Sequence, residues 1–185
     1  TGKNYCAQSS AKMGSDGQPT TNSSDYLGSE ADKTGINALL DVDIFNILCL
    51  PGASDLDHKT ALAILSKAAS FCEEHRAFLI IDCPDSWLTS DDALSHLTEF
   101  DSIRNKNAAM YFPRLQMPDI LDENRLRTFP QCGVVAGIYA RTDGNRGVWK
   151  APAGQETLMT GVRSLDYRLT DKENGLLNPL GLNCL

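Results

Sequence analysis

The run Ala77-Phe78-Leu79-Ile80-Ile81-Asp82 constrains the fold more than any other stretch. It is almost continuously apolar. A strand of this kind belongs in a sheet covered on both faces, since a half-solvated strand alternates apolar and polar residues. The earlier run Ile44 to Leu50 has the same character and is stopped by Pro51-Gly52. Between the two, Ala61, Leu62, Ile64, Leu65, Ala68, Ala69 and Cys72 give a helix an apolar face through Glu74, with Asp55 or Asp57 as its cap. Strand, helix and strand in this order favour a parallel unit with a right-handed crossover. A third strand is expected over Asn107 to Phe112, ended by Pro113. A helix starting near Asp91 or Asp92 would precede it and bury Ala93, Leu94, Leu97 and Phe100. The expected fold is α/β: a three-layer core with a mainly parallel or mixed central sheet flanked by helices.

The remaining segments are read more coarsely. Residues 1–33 are rich in Ser, Thr, Gly, Asn and Asp and read as a polar surface loop or partly disordered lead-in. Residues 34–185 form the α/β core domain, with a short helix at Ile36 to Leu40. Leu115 to Phe129, with Pro118 and the charges of Asp119, Asp122, Glu123, Arg125 and Arg127, reads as an irregular exposed excursion. Gln131 to Tyr139 reads as a helix, followed by a polar turn from Arg141 to Gly147 and then Val148-Trp149-Lys150-Ala151-Pro152, where regular structure ends. Gly133 and Gly137 share one face of that helix and would let it approach a sheet or another helix closely. A strand at Met159 to Leu165 and a helix near Thr170 to Asn174, capped by Thr170 or Asp171, precede an Asn178-Pro179-Leu180-Gly181 turn.

Composition narrows the function classes. Twenty-four acidic residues against 17 basic ones give a formal charge of -7, which argues against broad nonspecific binding to nucleic acid. No apolar run is long enough to insert into a membrane, and the start Thr1-Gly2-Lys3-Asn4-Tyr5 has no apolar signal segment. The sequence reads as a part of a longer polypeptide. The six cysteines, Cys6, Cys49, Cys72, Cys83, Cys132 and Cys184, form no Cys-x-x-Cys pair. They are expected to be free thiols in a reducing compartment, with no metal cluster.

Enzyme-like features are sparse. Asp82 closes a strand, and strand ends of open parallel sheets commonly face ligand crevices. Asp82 and Asp85, joined by Asp41 or Asp43, would be the ligands of a metal-dependent hydrolase. The chain has no GxxxxGK[ST] phosphate loop, no His-Glu-x-x-His and no Gly-x-Ser-x-Gly. The acidic lead-in does not have the spacing of an EF-hand. His58, His75 and His96 do not cluster in sequence. No catalytic residue, cofactor or metal is expected. Arg141, Asp143, Arg146 and Lys150 read as a salt-linked loop holding the Trp149 turn, with a subunit contact or a small-anion site such as phosphate as the alternatives.

Two motifs carry a resemblance. Gly133 followed by Val135-Ala136-Gly137-Ile138-Tyr139-Ala140-Arg141-Thr142-Asp143, then Gly147-Val148-Trp149-Lys150-Ala151-Pro152, resembles a signature of contractile tail sheath proteins of phages and related injection systems. Val134 stands where that family has His, and Phe129-Pro130-Gln131-Cys132 replaces its Pro-Pro-Ser lead-in. Leu177-Asn178-Pro179-Leu180-Gly181-Leu182-Asn183 is similar to the family's Leu-Asn-Pro-x-Gly-Ile-Asn. Weaker similarity runs through Ala108 to Pro113, Val42 to Leu48 and Gly14 to Gly17, in the family's order.

The resemblance implies a structural subunit rather than an enzyme. Such subunits stack in hexameric rings around an inner tail tube protein, join neighbouring sheath subunits through terminal arms, and connect to baseplate components. Contraction drives the tube through a target envelope. The sheath would be part of a virion or prophage-derived tail, assembled in the bacterial host cytoplasm. Gly133, Gly137, Tyr139, Arg141, Asp143, Gly147, Trp149, Lys150, Pro152, Asn178, Pro179 and Gly181 would then be structural or interface residues. The isolated chain, lacking the arms, is expected to be monomeric. The alternatives are the metal-dependent hydrolase above and a non-polymerising adaptor built on the same core.

Overall fold

The computed structural model describes residues 19–185. Cys6 and the Gly14 to Gly17 similarity lie outside them. The core is a four-stranded parallel sheet in the order β1-β2-β3-β7, formed by β1 (Ile47–Cys49), β2 (Phe78–Asp82), β3 (Ala108–Phe112) and β7 (Leu182–Cys184). Residues alternate strictly between its faces, as the two-residue period of a strand requires. Leu48, Leu79, Ile81, Met110 and Phe112 enter one large apolar cluster. Ile80 and Tyr111 enter a second, smaller one on the other face.

Helix α2 (His58–Glu74) covers the first face. Its buried Ala61, Ile64, Leu65, Ala68, Phe71 and Cys72 form one stripe. The Asp57 side chain caps it by accepting from the Thr60 amide at 3.1 Å. Helices α3 (Ser90–His96) and α5 (Asp171–Leu177) extend the same layer. Both begin with reciprocal capping boxes, Thr89 with Asp92 and Thr170 with Glu173. The N-cap of α3 is thus Thr89, with Asp92 closing the box from the third helical position. A 3-10 segment, Leu97–Ile103, adds Leu97, Phe100 and Ile103 to the apolar layer. Helix α4 (Cys132–Arg146) alone packs on β1 and β2 from the opposite side. The result is the expected helix–sheet–helix layering.

Several local expectations are corrected. Residues 115–129 are not irregular: β4 (Leu115–Asp119) and β5 (Arg125–Phe129) form an antiparallel hairpin, and β6 (Ser164–Leu165) pairs with β4 in a second sheet ordered β5-β4-β6. The hairpin hid because Arg125 to Thr128 are exposed on both sides, so no apolar alternation marks the strand. Helix α4 does not end at Tyr139 but runs to Arg146, because Thr142 continues the buried row Cys132, Val135, Ile138. Gly147, at φ 95°, supplies the stop. The strand expected over Met159 to Leu165 is reduced to Ser164–Leu165. Within the expected lead-in loop, Ser23–Leu27 forms a short helix, α1, that packs on α2.

Candidate functional site

The polar chemistry gathers where α4 begins, above the C-terminal ends of β1, β2 and β3. Parallel strands bring their ends to one edge, and a helix starting there presents unpaired amides. Asp82 meets them: its Oδ1 accepts from the Cys132 amide at 2.6 Å. Its Oδ2 has no hydrogen-bond partner, although the residue is 3% exposed. Burial pushes the Asp82 carboxyl above its ordinary range, against the lowering effect of the Cys132 bonds and the Arg114 charge. Gln131, fully buried, donates to the Tyr111 carbonyl, while its Oε1 is also unpartnered.

Buried Arg114, just past β3, closes the edge. Its guanidinium donates to the Cys83 carbonyl at 2.9 and 3.1 Å and to Ser54 Oγ at 3.0 Å, and pairs with Asp55. The strand ends are therefore tied to one another by an arginine. The acidic residues proposed as metal ligands do not meet: Asp41 pairs with Lys33 at the surface and Asp82 is committed to α4. Among the described residues, no group of three or more His, Cys, Asp or Glu side chains is placed to hold a metal ion. His58 and His96 do converge, both on Glu99, at 3.3 and 2.9 Å. His75 stands apart, stacked on Phe71 at 4.2 Å.

The motif residues divide into two groups. Tyr139 turns inward, stacks on Phe78 at 5.6 Å and shares a 2.8 Å hydroxyl bond with Tyr111. Arg141 donates to the Leu158 carbonyl at 2.7 Å, Arg146 pairs with Glu156 at 2.7 Å, and Lys150 donates to the Ala151 carbonyl at 2.9 Å. The Asp143 carbonyl accepts from the Gly147 amide and ends α4. The turn through Pro152 is thus held mainly by side chains reaching backbone carbonyls, with one ion pair, rather than by a network of charges. Gly147 is required there, since a Cβ would meet the Trp149 ring at 2.3 Å.

The second group faces outward. Trp149 is 85% exposed, so the indole is not the buried core residue its size suggests. Gly133 and Gly137 are exposed, and a Cβ on either would meet nothing within 4 Å. Their expected role in letting α4 approach its own sheet is corrected: the sheet lies against the opposite face of the helix. Asn178 and Pro179 form a 3-10 turn that Gly181 closes at φ 86°, delivering Leu182 into β7. Arg104 lies over Gly181, where a Cβ would come within 2.9 Å of its guanidinium.

No family model matches the chain. It is 30% identical over 135 residues to a "Putative prophage major tail sheath protein" of Pseudomonas aeruginosa (strain UCBPP-PA14). That alignment takes in 70% of the chain and 32% of the relative. The fold matches a chain of the anti-feeding prophage helical sheath in its contracted state, with a TM-score of 0.57 and 26% identity over 85% of this chain and 41% of that one. The chain is a relative of tail sheath proteins. It spans about a third of the curated sheath relative's length and about two fifths of the solved one's. The α/β layering is thus that of a sheath relative.

Proposed function

We propose that the chain is the α/β core portion of a contractile tail sheath subunit, which in its complete form polymerises around an inner tube and contracts to drive that tube through an envelope. The observation that carries this is the fold match to a contracted helical sheath over 85% of the chain, together with the 30% identity to the prophage sheath relative. The role is structural, with no catalytic residue. The two tied edges favour it: an arginine-bridged strand edge and a backbone-held turn suit a part that moves as a rigid body and passes force through its contacts.

Residues 34–185 would belong to the core domain and residues 1–33 to its lead-in. Tyr139, Arg141, Asp143, Gly147, Lys150, Pro152, Asn178, Pro179 and Gly181 would set the internal scaffold. Gly133, Gly137 and Trp149, which this chain leaves uncovered, would face a neighbouring subunit of the sheath. Tube and baseplate contacts, and assembly in a bacterial host cytoplasm, follow from the same reading.

Electron microscopy of the full-length parent protein, alone and with its tube protein, tests the proposal. Ringed sheaths on a tube, or wide contracted tubes, are the expected result. A protein that stays monomeric under both conditions would overturn it. Trp149→Ala in the parent protein should reduce assembly while leaving the circular dichroism spectrum unchanged.

A further inference from the structure

Two exposed patches at different places in the chain complement one another. The first is the tip of the β4–β5 hairpin. Ile120 and Leu121 stand there 82% and 92% exposed, with Asp122 and Glu123 directly after them. The tip has a fixed shape. Asp119 Oδ1 accepts from the Leu121 amide at 2.9 Å, and the Asp119 carbonyl accepts from the Asp122 and Asn124 amides at 3.1 and 2.8 Å. Arg127 in turn holds the Asp119 carboxylate at 2.8 Å. Arg125 is shared between Asp122 and Glu123, at 3.5 and 3.2 Å, so this trio keeps one negative charge in excess. Two large aliphatic side chains side by side at an ordered tip add nothing to the chain's own core, and an exposed apolar patch of this kind marks a contact.

The second patch lies past the end of α4. A cavity of about 250 Å³ there is lined by Arg141, Arg146, Lys150, Glu156 and Thr157 among others. Arg146 pairs with Glu156. Arg141 and Lys150 are held instead by the neutral carbonyls of Leu158 and Ala151, and among the described residues neither has an acidic partner. Their positions are set while their charges stay uncompensated. Val148 and Trp149 lead into Lys150, and Leu158 follows Thr157; these three are 80%, 85% and 76% exposed. Fixed cations in a cavity with bare apolar residues beside it suit an occupant that is both aliphatic and acidic.

We propose that the hairpin tip of one copy docks at the α4-end cavity of the next, with Ile120 and Leu121 against Val148, Trp149 and Leu158, and Asp122 and Glu123 turned toward Arg141 and Lys150. This contact rests on the sheath reading, in which Trp149 faces a neighbouring subunit, and it names what that neighbour offers. A second copy is the occupant because the chain carries both halves, matched in apolar content and opposite in charge. The two halves differ, so the contact is heterologous. Each copy gives a tip to one neighbour and a cavity to another, and the contact propagates along a row of subunits instead of closing as a two-fold dimer. The ordered tip has little freedom left to lose on docking, which lowers the entropic cost of the contact.

The test uses the full-length parent protein with Leu121 replaced by the photo-crosslinker p-benzoylphenylalanine. Isotopically light and heavy preparations are mixed, irradiated and peptide-mapped, so that links between copies carry both labels. The expected link joins position 121 of one copy to residues 146–158 of another. Glu123→Lys should lower its yield about five- to tenfold, and Lys150→Glu by a similar factor, both folded by circular dichroism. The two together should restore the yield to within about threefold of the unreversed protein. A merely structural role of Lys150 in its own turn would not be rescued from the hairpin. A link elsewhere on the second copy, a link within the same chain, or losses that simply add in the double variant would overturn the contact. Sheaths that assemble normally with the link absent would sink the contact and leave the sheath reading standing. The expected link in a protein that never forms a sheath would keep the contact and sink that reading. A monomer without any link would sink both.

Discussion

The two faces of the parallel sheet are held by different physics. On one, α2, α3, α5 and the Leu97–Ile103 turn bury a continuous apolar cluster around Leu79, Phe112 and Trp87. On the other, α4 stands alone, packing its Cys132 and Val135 on Ile80 and Tyr111 of the sheet, and polar bonds do much of the joining: Asp82 to the Cys132 amide, Gln131 to the Tyr111 carbonyl, and Tyr111 to Tyr139. The first face gains from area and tolerates imprecision. The second depends on a few directional contacts, each costly to leave unmade in a dry site. The same contrast appears in the carboxylates. Glu173, accepting from Ser90 Oγ and the Tyr167 hydroxyl, both at 2.5 Å, and from Thr170, is pulled down to about 2. Asp82 is pushed up.

The comparison can be broken from the apolar side first. Phe112→Ala, at a fully buried ring, should cost about 3–5 kcal/mol in denaturant unfolding, the range for aromatic truncations in a core. On the α4 side, Asp82→Ala should cost about 1–3 kcal/mol by stranding the Cys132 amide. Asp82→Asn, which keeps an acceptor, should cost less. If Asp82→Ala matched Phe112→Ala, the division of labour between the faces would be wrong. Thr170→Ala, which removes the α5 cap, should cost about 1 kcal/mol in the same assay. Gly133→Ala should instead stabilise the isolated protein by about 0.5–1 kcal/mol, because the added methyl meets nothing and helix entropy improves. The same substitution should impair assembly of the parent protein if a neighbour covers that face.

The pH profile sharpens the contrast most finely. Glu173 has a lowered folded pKa, so its contribution is present above the ordinary carboxylate range and is lost as pH falls toward about 2. Asp82 has a raised folded pKa, so the native state favours the proton. Its contribution is fully present below the ordinary range and is lost as pH rises through the raised value. Unfolding monitored across acid pH should show Asp82→Asn flattening the decline with rising pH and Glu173→Gln flattening the decline with falling pH. Identical profiles for the two variants would remove the distinction.

The apolar face was legible in the sequence because it is periodic. Leu79 and Ile81, or Ile64, Ala68 and Cys72, announce their elements without knowledge of their partners. The cap was legible as Asp55 or Asp57, and the structure selects Asp57. The β4–β5 hairpin was not, since Arg125 and Arg127 are spaced by register with β4 rather than by burial. The end of α4 could have been placed from the spacing of Ile138 to Thr142 and from Arg146-Gly147, a basic last turn before a glycine. The Cys49–Cys132 contact joins residues 83 positions apart. It exists only once β1 and α4 are stacked, and no local pattern encodes it. Arg114 is similar: its partners Ser54, Asp55 and Cys83 come from two other strand ends.

The position of β7 sets a timetable. β1, β2 and β3 follow one another in the chain with their covering helices between them, but β3 must then wait for Leu182–Cys184, so that Tyr111 finds Asn183 across some seventy intervening residues. During synthesis the amides and carbonyls of Met110, Tyr111 and Phe112 on that side stay open until the second sheet, α4 and α5 have all been made. For that interval the nascent chain carries an apolar strand edge able to pair with the same edge of a sibling on the next ribosome. A short closing strand, delivered through the fixed turn of Asn178 to Gly181, pairs quickly once it is made and keeps that interval brief.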